Sequence, residues 1–316
     1  MIKVYKHPKY FYELESVTRF IDVEYVDNIN KADFVAIASS HNEPVFEDTI
    51  GSTIPILYSY IREHPYEHDE YLKTQFASLN PTQDIIIFSL SSFEKFAPGR
   101  KNIIIDQFEL DAYHRLFVNK ECKIVDNHIH SSLRYLFLGG KANKNNRKPL
   151  YDLLVDAKIE SEGSCSLFGV TETLDDIKVE NNHYLGYPYD DRLYRITNFS
   201  LIAETHFDGN QEFHPTEKTY RAIANKHPFI VASTPHFLTN LKRKGYRTFS
   251  DIINENYDFE KEHSKRLFLA VLALKDALRR DYTPFKSIAD FNVQVLKNNA
   301  INTLNTINNS LNNTKE

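Results

Sequence analysis

Cysteine is nearly absent from the chain: Cys122 and Cys165 are the only two among 316 residues, and they form no CxxC pair. That excludes a disulfide framework and a cysteine-built zinc site. No apolar run reaches the length needed to span a bilayer, and the opening stretch MIKVYKHPKYFYELES lacks the apolar core of a signal peptide. A cytoplasmic address is therefore expected, with no glycan on the sequons at Asn198, Asn308 and Asn312. An excess of one charge is also missing. The 38 Lys and Arg against 43 Asp and Glu leave a net charge of −5, no general reason to bind nucleic acid or acidic membranes. LKRKGYR (241–247) is the clearest local basic cluster. The 13 histidines are scattered, and HPYEH (64–68) and HIH (128–130) lack a helical frame and a third ligand. No metal is assigned.

What is present is 41% hydrophobic and 26% charged residues, the balance of a globular protein with real cores. The apolar residues come in short runs. MIKVY (1–5), ADFVAIAS (32–39), TIPILYSY (53–60), DIIIFSL (84–90) and KNIIIDQF (101–108) read as strands, and FYELESVTRFI (11–21) fits a helix. Continuous rather than alternating runs predict strands covered on both faces, as in a mostly parallel sheet. The pattern restarts near residue 132. SLRYLFLGG (132–140) is a strand ending in a glycine pair, followed by the loop KANKNNRK and the helix PLYDLLVDAKI (149–159). SCSLFG (164–169), RITNFSLIAET (195–205) and PFIVAS (228–233) are further strands. TPHFLTNLKRKG (234–245) predicts a helix with Thr234 as N-cap and Pro235 in its first turn, and YRTF (246–249) a short strand. Helical patterns at 258–281 and from Pro284 close the chain, the Asn-rich end fraying. The expected class is α/β, with an N-terminal domain over 1–130 and a second α/β domain over 131–283. A C-terminal helix, 284–316, packs back on the first domain.

Two α/β sheets in tandem leave a cleft, and ligands in open α/β sheets bind outside the carboxyl ends of the strands. Three features of the second half fall there. The loop GGKANKNNRK (139–148) joins a strand to a helix N-terminus. Its free N–H groups beside Gly140, with Lys141, Lys144, Arg147 and Lys148, make a diphosphate cradle, or else a solvated loop. Glu204 ends a strand, where a carboxylate either accepts from sugar hydroxyls or caps a helix. In HPTEKTY (214–220), Thr216 caps a helix and Glu217 suits its first turn. Lys218 does not suit it: a cation there costs about 0.3–1 kcal/mol unless an anion joins it. A bound phosphate would supply that anion.

SLIAETHFDGNQEFHPTEKTYRAIANKHPFIVAS (200–233) resembles the donor-site signature of fucosyltransferase-like glycosyltransferases, including phage and giant-virus relatives. The resemblance extends through PHFLTNLKRKGYRTFSDIINENYD (235–258) and back to YLFLGGKANKNNRKPLYDLLVDAKI (135–159), about residues 133–260 in all. It implies a GT-B fold, two Rossmann-like domains facing across a cleft, and a UDP- or GDP-linked sugar held by the second. By the same resemblance Glu217 binds ribose hydroxyls, Lys218 and Arg147 bind diphosphate, and Glu204 lies near the sugar or nucleoside. Thr216, Lys144 and Gly140 complete the donor-binding set. The link ETHFDGNQEFHP is this chain's own.

Glycosyl transfer needs a stabilised leaving group and a base. YDDRLY (189–194) is the nearest approach to a metal-binding DxD and reads as a surface turn. The resemblance implies a hexosyl- or pentosyltransferase that inverts without a metal or other cofactor. Glu43, after the strand at 32–39, is the leading base, with Asp106 and Glu63 as alternatives. The acceptor is a glycan, a lipid-linked sugar or a modified base in DNA, and a phage-encoded enzyme would work in its host's cytoplasm. The rival readings are a nucleotide-binding protein without catalysis and a scaffold in which Glu217 and Lys218 are a surface pair.

Overall fold

The structure, a computed structural model, describes residues 1–6, 21–38, 54–60, 84–89, 101–118, 133–171, 192–208 and 213–314. The chain divides into two compact units, residues 1–107 with 299–316, and residues 108–298. Each contains one parallel sheet, so the α/β class is observed in both.

In the first unit the apolar runs form β1 (Ile2–Lys6), β3 (Phe34–Ala38), β4 (Ile56–Tyr60), β5 (Ile85–Ser89) and β6 (Lys101–Ile104). With β2 (Val23–Val26) they pair in the order β2-β1-β3-β4-β5-β6. Phe34, Val35, Ala36, Ile56 and Leu57 are fully buried, so neighbouring residues on both faces of the central strands are covered. Strand β2 was not foreseen. It lies at the sheet edge and exposes Glu24 and Tyr25, so its sequence, VEYV, carries no continuous apolar signal. The strand expected over 101–108 stops at Ile104. Gln107–Tyr113 is instead a helix, α1, continued by a π-helical turn over His114–Val118.

The second unit holds β7 (Tyr135–Lys141), β8 (Gly163–Phe168), β9 (Phe199–Ala203) and β10 (Phe229–Ala232), in the order β10-β9-β7-β8. Every residue of β9 and β10 is buried. Helices α2 (Arg147–Asp156), α3 (Arg192–Arg195), α4 (Glu217–Ala224), α5 (Phe237–Arg243) and α6 (His263–Ala277) surround the sheet, and α7 (Thr283–Asn313) follows. On α6, Leu267, Ala270, Val271 and Leu274 repeat at helical spacing and are buried where the helix meets α2 and β10. Helix α7 continues through the Asn-rich end, with Ile307 and Leu311 buried. No described helix is long and apolar enough to cross a membrane.

Two expectations after β10 are corrected. Thr234 does not cap α5: its N-cap is His236, with a left-handed backbone (φ 64°), and Pro235 stays outside the helix. A distant carboxylate does the capping. Asp258 accepts from the N–H of Leu238 at 2.7 Å, the N–H of Thr239 at 3.0 Å and the Thr239 hydroxyl at 2.8 Å. The segment 246–249 is not a strand, because side chains take its backbone groups. Asn292 bonds both the N–H and the C=O of Arg247, and Glu255 accepts from the Phe249 N–H. The neighbouring basic cluster is engaged within the protein. Lys244 donates to Glu109 and the Tyr220 hydroxyl, Arg247 stacks on Phe291, Lys242 meets Ser250, and Arg243 meets Asn240.

Asp258→Ala is expected to lower the unfolding free energy by about 2 kcal/mol, through loss of the cap and its charge-assisted bonds. Arg243→Ala, on the exposed side of the same helix, should change it by less than about 0.5 kcal/mol. Urea denaturation of the two variants checks both.

Candidate functional site

Glu204 follows directly on β9 and is 0% exposed. A carboxylate so enclosed is tolerated only when its lone pairs are filled. Here Oε1 accepts from the Thr216 N–H at 3.0 Å and from the Thr219 hydroxyl at 2.5 Å, and Oε2 accepts from the Thr216 hydroxyl at 2.5 Å. The backbone of Glu204 is equally occupied. Its N–H donates to Ala232 O on β10 at 3.0 Å, and its C=O accepts from Asn146 Nδ2 at 2.9 Å. One residue thereby fastens together the β7–α2 loop, the end of β9, β10 and the start of α4.

Thr216 caps α4, as its sequence position predicts, with extended backbone and its hydroxyl accepting from the Lys218 N–H. The Lys218 ammonium donates to the same hydroxyl at 3.1 Å, to Glu217 Oε1 at 3.0 Å and to the Thr205 hydroxyl at 3.3 Å. The anion that a first-turn cation requires is therefore present in the protein. Glu217 supplies it directly, and Glu204 supplies it through Thr216. Both Glu217 and Lys218 keep about one-fifth of their side chains open to solvent. Burial raises the Glu217 carboxyl, but the cations Lys218 and Arg221 and the hydrogen bond from Lys218 outweigh it, leaving the group below its usual range. Glu217 and Arg221 also line a small hollow with Phe108, Asp111 and Arg115.

The loop after β7 turns at Gly140, whose φ of +66° suits glycine. Arg147 Nη1 lies 3.4 Å from where a Cβ on that glycine would stand, and it donates to Lys141 O. Arg147 is buried in the first turn of α2, whereas Lys141 and Lys144 are exposed and Lys148 pairs with Asp152 along the helix. Of the site residues expected from sequence, Gly140, Arg147, Glu204, Thr216, Glu217 and Lys218 thus gather at the carboxyl ends of β7 and β9. Asp106 belongs to the first unit, part-buried between β6 and α1. Glu43 and Glu63 lie outside the described residues.

Asn146, Thr205 and Thr219 were missed. Thr219 stands three residues after the cap, a spacing that could have flagged it. Asn146 meets a carbonyl 58 residues away and leaves no local trace. The distinctive link after Glu204 is anchored from α6. The Arg266 guanidinium donates to Phe207 O at 2.5 Å and lies 4.2 Å over the Phe207 ring, while the rings of His206 and His214 pack 5.1 Å apart.

The lowered Glu217 carboxyl has a consequence for stability. Its contribution is fully present above its unfolded value near 4.5 and is lost as pH falls through the lower folded value. The stability difference between the protein and Glu217→Gln should therefore be flat at neutral pH and shrink only as the pH is taken below that unfolded value. A pH series of urea denaturations measures it.

No protein-family model matches the chain, and no curated protein matches it. Among solved structures, it is similar to an alpha-glucosyltransferase in complex with UDP and a 13-mer DNA containing a central A:G mismatch. That match has 11% identity over 93% of this chain and 85% of the other, with a TM-score of 0.48. The chain is also similar to an alpha1,3-fucosyltransferase, at 12% identity over 90% of this chain and 80% of the other, with a TM-score of 0.41.

Proposed function

We propose that the chain is a glycosyltransferase of the fucosyltransferase-like GT-B kind, moving a sugar from a UDP- or GDP-linked donor to an acceptor hydroxyl. The observation that carries this reading is that Arg147 follows β7 and Glu217 and Lys218 follow β9, at the carboxyl ends of two adjacent parallel strands, with Asn146 bonded to the Glu204 carbonyl. Open α/β sheets take ligands at that end. Two cations and a carboxylate suit the two polar parts of a nucleotide-sugar. Arg147 and Lys218 would hold the diphosphate, and Glu217, anionic at neutral pH, would accept from the ribose hydroxyls.

In the transfer, the acceptor oxygen bonds to the anomeric carbon as the bond from that carbon to the diphosphate breaks. The diphosphate leaves with the electron pair, and the acceptor proton passes to a base. Positioned cations stabilise the negative charge that develops on the leaving oxygen. We assign the base to Glu43, with Asp106 and Glu63 as alternatives, and read the transfer as inverting and independent of a metal. A glycan, a lipid-linked sugar or a modified DNA base would be the acceptor.

Calorimetry with UDP and GDP tests the reading. One of them should bind, and Lys218→Ala should weaken it roughly tenfold or more, the loss of a charge-assisted contact, with a smaller change in thermal stability. Failure of both to bind overturns the proposal. Once a donor is identified, replacing the true base by Ala should abolish transfer while nucleotide binding persists. If Glu43→Ala, Asp106→Ala and Glu63→Ala all transfer normally, the base is misassigned.

A further inference from the structure

We infer that Glu204 is a positioning residue that never touches the donor: through the Thr216 hydroxyl it holds the Lys218 ammonium in place, and at its carbonyl it anchors Asn146, the residue before Arg147. The inference rests on the nucleotide-sugar reading for its purpose, though not for its geometry.

The direction of the relay follows from donor and acceptor chemistry. An ionised carboxylate can only accept, and a threonine hydroxyl has one proton. At 2.5 Å from Glu204 Oε2, that proton is committed to Glu204. The lone pairs of Thr216 Oγ1 are left for the Lys218 ammonium at 3.1 Å and the Lys218 N–H at 3.4 Å. The order is therefore ammonium to hydroxyl to carboxylate. Removing either the carboxylate or the hydroxyl breaks it.

The relay matters because the other anion beside Lys218 has a second task. Glu217 is partly open to solvent, and its carboxylate is the group assigned to ribose hydroxyls. When Glu217 turns to a ligand, Lys218 loses its direct ion pair. The enclosed Glu204 carboxylate has no such freedom, since three donors from the start of α4 fill it. It is the tether that persists when the site is filled. The same residue receives Asn146 at its carbonyl, and Asn146 immediately precedes Arg147. Glu204 thus anchors the segments that carry both cations, Lys218 through Thr216 and Arg147 through Asn146, while its own carboxylate stays enclosed.

The test compares two isosteric losses. Thr216→Val removes the relay hydroxyl, and Thr219→Val removes another donor to Glu204 without touching Lys218. Both should lower the melting temperature. Acylation of Lys218 by a water-soluble active ester, followed by peptide mass spectrometry, should speed up several-fold in Thr216→Val. It should stay at the wild-type rate in Thr219→Val and be rescued by Thr216→Ser. The dissociation constant of whichever nucleoside diphosphate binds should rise roughly tenfold in Thr216→Val and recover in Thr216→Ser. Equal labelling in the two valine variants, or altered labelling with unchanged nucleotide affinity, overturns the inference. Labelling as expected in a protein that binds neither UDP nor GDP overturns the nucleotide reading instead and leaves the relay standing.

Discussion

The second unit depends on where the negative charge of Glu204 goes. An unpaired carboxylate in a protein interior would cost several kcal/mol, far more than any helix cap is worth. The chain around Glu204 therefore has little freedom. Thr216 must bring both its N–H and its hydroxyl to the carboxylate, which places the first residue of α4. Thr219, one turn on, must face the same way, which sets the rotation of that helix. Asn146 ties the β7–α2 loop to the same residue, and the bond to Ala232 keeps β10 alongside. The partners come from three elements, so the arrangement of the site follows from a single buried residue.

That arrangement changes the meaning of Lys218. A lysine in a helix's first turn opposes the dipole, which made a bound phosphate an attractive resolution. The protein resolves the conflict by itself, with Glu217 at 3.0 Å and the Thr216 relay. The misplaced cation is thus no longer an argument for a ligand. What it becomes is a cation already held in one position before anything binds, and such preorganisation is what electrostatic stabilisation of a leaving group requires.

How far the sequence could be read depended on the distance between partners. The buried strands β3, β5, β9 and β10 were legible because two covered faces leave an unbroken apolar run. The edge strand β2 was not, since the exposed Glu24 and Tyr25 interrupt that run. The cap at Thr216 was legible because an N-cap reaches only two or three residues ahead. The cap of α5 was misread for the opposite reason: Thr234 and Pro235 look like a local start, while Asp258, about twenty residues on, supplies the bonds. YRTF has the composition of a strand, but Asn292 and Glu255 satisfy its backbone. Glu204 itself was visible as an acid at a strand end. Whether it faced solvent or Thr216 and Thr219 was decided only by the fold.

These contacts also sort the stretch that resembles fucosyltransferase-like enzymes. Within 235–258, Asp258 caps α5 and Glu255 pins the loop before it, so the NENYD ending builds the frame. Lys244 and Arg247 are spent on Glu109, Tyr220 and Phe291. Within 200–219, Glu204, Thr216 and Thr219 bond one another. Beside them, Glu217 and Lys218 combine charge with partial access to solvent. Glu204, Thr216 and Thr219 therefore specify where one short helix begins and how it is turned, and Glu217 and Lys218 beside them stay partly open to solvent. A buried acid with three fixed donors tolerates no substitute of different length or charge. An exposed ligand contact can change with the substrate. The residues that place α4 carry that constraint, and those of the link after Glu204 that do not bond its carboxylate are free of it.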